Sequence, residues 1–300
     1  MNRPLYRRGM QPGPIATFSL AARDQATGDM GVVVASKFLG VGAYVPTAVA
    51  GVGAVATQAF SNVTFGPRAI ELLRTGKTPA ECSQEFERTD AGIQQRQFGI
   101  VAADGQAVTF TGSQCHAWAG GKSGVGYAAQ GNILTGPEVV DALVDTFLGS
   151  SRPFPERLVA SLAAAEAAGG DSRGRQSAAL LVVGHEKGYA GLNDRWIDLR
   201  VDDHPEPATE LARLLELHRV YLDKPSTEPR RLSAEDIRWL QGVLHGQGRL
   251  EGTPTGAWDL ETETALEGLF GVENLEERWV GGPAVDPVAW EHLTARFGDR

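Results

Sequence analysis

The apolar segments of this chain come in groups, and the grouping constrains the fold more than any one segment does. "TFSLAAR" (Thr17–Arg23) and "GVVVASKF" (Gly31–Phe38) are strand-like and joined by "DQATGD", whose Asp, Thr and Gly suit a hairpin turn. "GVGAVATQAF" (Gly51–Phe60) predicts a third strand, its glycines indicating close backbone approach. Two helices follow. One runs from Gly66 to Gly76 with Pro67 in its first turn, and the next starts at Thr78 with Pro79 at N1 and Glu81 at N3. A hairpin over Arg96–Gly112 turns at Asp104-Gly105, and Gly124–Leu134 predicts another strand.

A second helix pair covers Gly136–Leu148 and the segment from Phe154 to Gly170, and two strands, Ser177–Gly184 and Gly188–Leu192, come after it. A helix from about Pro207 to Tyr221 closes this part. Strands grouped in hairpins argue for antiparallel sheets and against alternating strand–helix units. The expected fold class is α+β, a four-layer αββα sandwich with two sheets face to face and helices outside.

The polar, proline-containing run Asp223–Arg231 predicts a linker. Beyond it three short helical patterns predict a small helical domain over residues 232–300. Ser233 and Asp236 form a capping pattern. Ala265, Leu266, Leu269 and Phe270 share one side of the second helix. Asp286 caps a third helix whose stripe is Trp290, Leu293 and Phe297. Residues 1–16 read as a leader and residues 17–222 as the main domain.

Composition narrows the function classes. The 300 residues carry a net charge of −9, which argues against nucleic acid and anionic membrane as partners. Hydrophobic content of 42% suits a full core. No apolar run approaches a membrane span and no signal peptide is visible, so a cytoplasmic location is expected. The two cysteines, Cys82 and Cys115, have no metal-like spacing, and "DDH" (Asp202–His204) lacks a second cluster. No metal and no cofactor are expected. The basic loop "GGDSRGRQS" (Gly169–Ser177) lacks phosphate-loop spacing and reads as a connector.

The blocks "TFSLAARD", "GVVVASKFLGVGA", "GVGAVATQAFSN", "RQFGIV", "QGNILTGPEVV", "GGDSRGRQSAALLVV" and "LNDRWIDLRVDDHPEP" resemble the bacterial domain-of-unknown-function 1028 family in order. That family is similar to the N-terminal-nucleophile hydrolases, which share the αββα layering. "GTPTGAWDLETETAL" and "GVENLEERW" resemble the peptidoglycan-binding domain found attached to this family. The resemblance implies an amide-bond hydrolase in which Thr17 is the nucleophile, its freed α-amine acting as base. The Ala16-Thr17 bond would be cut by the chain itself, or translation would start nearer Thr17. Thr is also a good strand former, so an ordinary strand start stands beside this reading.

The resemblance brings in supporting residues. Lys37, preceded by Ser36, ends the second strand level with the start of the first, where an ammonium would depress an amine pKa. The Asp of proteasome-like relatives is missing there. "QGNI" contributes Gln130 and Asn132, the latter as an oxyanion donor. Gln58, Asn62, Asn193 and Asp194 stand at other strand ends as binding candidates, the last two also ordinary turn material. The expected partners are a small-molecule or peptide amide substrate, peptidoglycan or its fragments, and a second copy of the chain. The competing reading is a non-catalytic binding protein on the same fold, its tail contacting a polymer or protein.

Overall fold

A computed structural model describes residues 17–298. The expected leader, residues 1–16, lies outside the described residues. The chain divides into two compact units, parting between residues 215 and 216.

In the first unit, β1 (Thr17–Arg23) and β2 (Met30–Ser36) pair antiparallel. The turn between them is held by Asp24, whose Oδ1 accepts from the N–H groups of Ala26 and Thr27, each at 2.9 Å. Gly28 occupies the left-handed region there, with φ of 80°. There follow β3 (Pro46–Val49), β4 (Gly53–Ala59), α1 (Phe65–Arg74), α2 (Pro79–Thr89), β5 (Arg96–Ala102) and β6 (Ala107–Thr111). Then come β7 (Gly120–Gly124), β8 (Tyr127–Asn132), α3 (Glu138–Gly149), α4 (Phe154–Ala167), β9 (Ser177–Val183), β10 (Arg195–Val201) and α5 (Pro207–Leu222). The unit is thus a mixture of helices and antiparallel sheets. One sheet has the order β10-β9-β2-β1-β8-β7 and the other β3-β4-β5-β6.

Strand alternation sorts the core. Phe18, Leu20 and Ala22 of β1 pack with Val139, Leu143, Leu158 and Leu162 of α3 and α4, and with Leu211 of α5. The opposite face of the same sheet, with Ala21, Val32, Val34 and Ala128, meets Ala54, Ala56 and Val101 of the second sheet. The outer face of that second sheet, with Val55, Phe98 and Ile100, packs under Phe65, Ile70, Cys82 and Phe86 of α1 and α2. Phe65 and Phe86 stack with ring centroids 4.1 Å apart. The α2 capping box forms, Thr78 Oγ1 accepting from Glu81 N–H at 3.2 Å and Glu81 accepting from Thr78 N–H at 2.8 Å.

Several strands differ from expectation. The segment expected as a strand at Gly188–Leu192 is a loop with a 3-10 turn at Tyr189–Gly191, and Tyr189 and Leu192 are exposed. Asn193 and Asp194 close that loop by accepting backbone N–H groups of Arg195 and Glu186, each at 2.9 Å, and the edge strand is β10. β3 and β7 were not expected. β7 is "GGKSG", which has no apolar alternation to betray it.

The second unit contains the end of α5, helices α6 (Ala234–Gly246), α7 (Leu260–Val272) and α8 (Pro287–Phe297), and a short pairing of β11 (Arg230–Arg231) with β12 (Ala284–Val285). Its core joins Leu240, Leu244, Leu266, Leu269, Phe270 and Leu293. Ser233 and Asp236 form the capping box of α6, and Asp286 caps α8. Gln241 ties α6 to the following loop, its Oε1 accepting from Thr255 and Gly256 N–H groups, both at 2.8 Å. Arg278 and Asp286 form a buried ion pair at 2.9 Å. Among the described residues no helix is long and apolar enough to cross a membrane.

Candidate functional site

The head of β1 sets the geometry. Thr17 lies opposite Ser36 of β2 on one side and Asn132 of β8 on the other. Parity along the strands turns Thr17, Ser19, Ser36, Gln130 and Asn132 toward the second sheet, the side on which Ala21, Val34 and Ala128 meet Ala54. All five are buried. The Thr17 hydroxyl donates to Ser36 Oγ at 3.3 Å.

Across the gap the second sheet supplies Gln58 of β4 and Gln97 of β5, both fully buried. Gln58 Nε2 donates to the Thr17 carbonyl at 3.1 Å and to Gln97 Oε1 at 2.8 Å, while its Oε1 accepts from the Ser19 hydroxyl at 2.6 Å. Gln130 Nε2 donates to Ser19 Oγ at 2.7 Å, and its Oε1 accepts from the Thr109 hydroxyl at 3.1 Å. Gln97 Nε2 donates to the Gly131 carbonyl at 2.7 Å and to Thr111 Oγ1 at 2.9 Å. Gly99 makes room for this cluster, since a Cβ there would sit 2.2 Å from Gln130 Oε1.

Backbone carbonyls, which only accept, fix which way these amides face. Gln97 must turn its nitrogen to Gly131, so its Oε1 faces Gln58 and Asn132. The Asn132 atom at 2.9 Å from that oxygen is therefore the donor Nδ2. Asn132 Oδ1 is left on the other side, buried and without a hydrogen-bond partner among the described residues. Asn132, expected as an oxyanion donor, thus already spends one N–H on Gln97.

The other expected site residues lie elsewhere. Lys37 follows Ser36, so parity places it on the other side of the strand. Its Nζ donates to the Arg175 carbonyl at 3.1 Å, and its backbone N–H donates to Asp171 at 2.9 Å. Asn62 donates to Asp90 at 3.0 Å and accepts from the Thr64 hydroxyl at 2.7 Å, in the turn before α1. Asn193 and Asp194 stand at the opposite end of the sheet, since β1 pairs Arg23 with Met30, which pairs Val183, the last residue of β9 before that loop. Six residue rises separate that end from Thr17, about 20 Å. Thr17, Ser36, Gln58, Gln130 and Asn132 come together, while Lys37, Asn62, Asn193 and Asp194 do not join them.

Of the members that the sequence reading did not single out, Gln97 is the central one. Its signal is faint, a single amide at the start of the apolar strand "RQFGIV". The loop Gly169–Ser177 folds on itself, Arg173 pairing with Asp171 at 2.9 Å and Arg175 with Glu166 at 3.3 Å. A cavity of about 60 Å³ beside it is lined by Phe18, Ala35, Ser36, Glu166, Asp171 and Arg175, among others. Burial raises the Glu166 pKa above the ordinary carboxyl value, and Arg175 opposes the rise. Burial also pushes the Cys82 and Cys115 thiols up to about 11, against reactivity at neutral pH. Among the described residues no three His, Cys, Asp or Glu side chains are grouped to hold a metal.

No match was found among curated proteins. Residues 221–293 match a family described as "Putative peptidoglycan binding domain". A crystal structure of a protein from Silicibacter pomeroyi, itself of the family discussed next, is 31% identical. It covers 68% of this chain and 89% of its own, with a TM-score of 0.62. Residues 17–211 match the model described as "Family of unknown function (DUF1028)", and the chain belongs to that family.

Proposed function

We propose that the first unit is an αββα sandwich of the N-terminal-nucleophile type and that Thr17, once it is the first residue, hydrolyses an amide bond. The observation that carries this reading is the Thr17 hydroxyl at the head of β1, facing the second sheet between Ser36 and Asn132. Sheets that meet through small side chains, with helices packed on each outer face, support the layering. In the reaction Thr17 Oγ1 attacks the amide carbonyl carbon. The α-amine takes the hydroxyl proton and delivers it to the departing nitrogen, and water then hydrolyses the Thr17 ester. An α-amine titrates near pH 7.7–8.0, close to the working range of a base. Thr17 is fully buried in the intact chain, so the proposal concerns the processed form.

Intact mass and the first residue of protein from its native host test the premise, and hydrolysis of an amide panel tests the chemistry. Thr17→Ser retains turnover and Thr17→Ala loses it by at least about 10³-fold. Equal turnover by both variants, or a native chain that keeps residues 1–16, overturns the reading.

A second reading, a binding protein without catalysis, is favoured by the same burial of Thr17 and by the amide side chains that fill the space before it. In either case the match over residues 221–293 supports peptidoglycan or its fragments as the ligand of the second unit. Co-sedimentation of the full chain with insoluble peptidoglycan tests this, and a chain left wholly in the supernatant refutes it.

A further inference from the structure

We propose that Asn132 is a positioning residue whose Oδ1 accepts a hydrogen bond from the Thr17 nitrogen when that nitrogen is a terminal amine. This rests on the reading of Thr17 as an N-terminal nucleophile and assigns what holds its amine.

Three observations converge. Asn132 is 1% exposed, and its Oδ1 is the buried side-chain oxygen without a partner among the described residues. The orientation of its amide is forced, because Gln97 Oε1 requires a donor and the carbonyl of Gly131 fixes Gln97. Asn132 is also the direct cross-strand neighbour of Thr17, where Cβ atoms stand about 4.5–5.5 Å apart.

Other groups at this end have their roles filled. Gln97 Oε1 already accepts from Gln58 and from Asn132. Gln58 Oε1 takes the Ser19 hydroxyl, and Gln58 Nε2 is a donor. Ser36 Oγ takes the Thr17 hydroxyl.

A buried acceptor without a donor is costly. The peptide nitrogen of Thr17 carries one proton, whereas a terminal amine carries two and an ammonium three. Processing therefore creates donors beside the oxygen that lacks one. Accepting one of them fixes rotation about the N–Cα bond, the torsion that cleavage frees, and turns the lone pair to the hydroxyl proton.

The test uses the full chain with a protease site directly before Thr17, folded first and then cut so that Thr17 leads. With 13C-labelled threonine, the Thr17 Cα resonance followed against pH reports the amine pKa. Relative to the wild-type side chain, Asn132→Ala lowers that pKa and Asn132→Asp raises it, each by about one unit. Identical values in both folded variants overturn the proposal. Should a variant fail to fold, the unsubstituted chain decides. The Asn132 Cγ resonance moves downfield when the chain is cut, and a resonance that stays put refutes the hydrogen bond. These readouts follow a proton and a carbonyl. Absence of hydrolysis would remove the functional reading while leaving this measurement to stand or fall by itself.

Discussion

The two ends of β1 are held by opposite chemistry. At the Arg23 end the hairpin turn is clamped by charge, with Asp24 paired to Arg157 and Asp29 to Lys187. At the Thr17 end the side chains facing the second sheet are, among the described residues, hydroxyls and amides. Ser19, Gln58, Gln97, Thr109, Gln130 and Asn132 hold one another through hydroxyls and amides, and Ser36 accepts from the Thr17 hydroxyl. A turn that only connects strands tolerates formal charges, since each finds its counter-ion. Under the proposed role of Thr17, an amine acting as base near neutral pH is better served by dipoles, because an adjacent charge would move its pKa by about one to three units. The contrast is therefore between a clamp and a cradle.

Removing the hub of the cradle has the largest expected effect on stability. Gln97→Leu strands Asn132 Nδ2 and the Gly131 carbonyl in the space between the sheets and takes an acceptor from Gln58. The expected loss is about 3–5 kcal/mol, read from the denaturant midpoint of the first unit's transition. A loss no greater than that from a surface substitution would break the comparison.

The clamp comes next. Arg157→Leu leaves Asp24 buried with the backbone donors of Ala26 and Thr27 but no cation, at an expected cost of about 2–3 kcal/mol. Burial works against the Asp24 charge, yet the N–H groups of Thr27 and Ala26 together with Arg157 outweigh it and hold the carboxyl below its usual value. A depressed carboxyl stabilises the fold above its unfolded pKa of about 3.9, and that contribution disappears as pH falls through the lower folded value. Amide exchange corrected for intrinsic rates should accordingly show residues 24–29 losing protection in acid, while the Thr17 end, where the amides and hydroxyls named above do not titrate, keeps it. Equal acid sensitivity at the two ends would erase the distinction.

How far the sequence foretells this molecule depends on the range of the forces involved. The strands of small apolar residues and the caps at Thr78, Ser233 and Asp286 are local, and they are legible. β7 and β10 are not, because one is glycine-rich and the other alternates charge with partial burial along an edge. Thr17, Gln58 and Gln130 announce themselves as polar residues at strand ends. Gln97 acquires its role only when two sheets meet, an event that leaves no periodicity in the chain. Lys37 misleads by a single position, since one residue of strand parity separates it from Ser36 and sends its ammonium to the Arg175 carbonyl.

Packing around the cradle offers a smaller effect. Gly99→Ala drives a Cβ to within 2.2 Å of Gln130 Oε1. Gln130 then has to give up Ser19 or Thr109, at an expected cost of about 2 kcal/mol. Thr109→Val removes one hydroxyl donor to the same oxygen without adding bulk, and is expected to cost about 1 kcal/mol. If the order of these two were reversed, Gln130 would be less tightly placed than the hydrogen bonds imply.

Lys37→Ala should have the least effect, and it separates the two faces of the sheet. The side chain is exposed and donates to a backbone carbonyl. Its loss should change stability by no more than about 0.5 kcal/mol. The same variant, in a chain cut to begin at Thr17, should leave the α-amine titration where it was, because the Lys37 ammonium is held at the Arg175 carbonyl, on the face away from the side chains of Thr17 and Asn132. A downward or upward move of that titration comparable to the one expected for Asn132 variants would show that charge does reach the cradle through the sheet. The neutrality of the Thr17 end would then be a matter of which groups are buried, and no longer of which groups the amine feels.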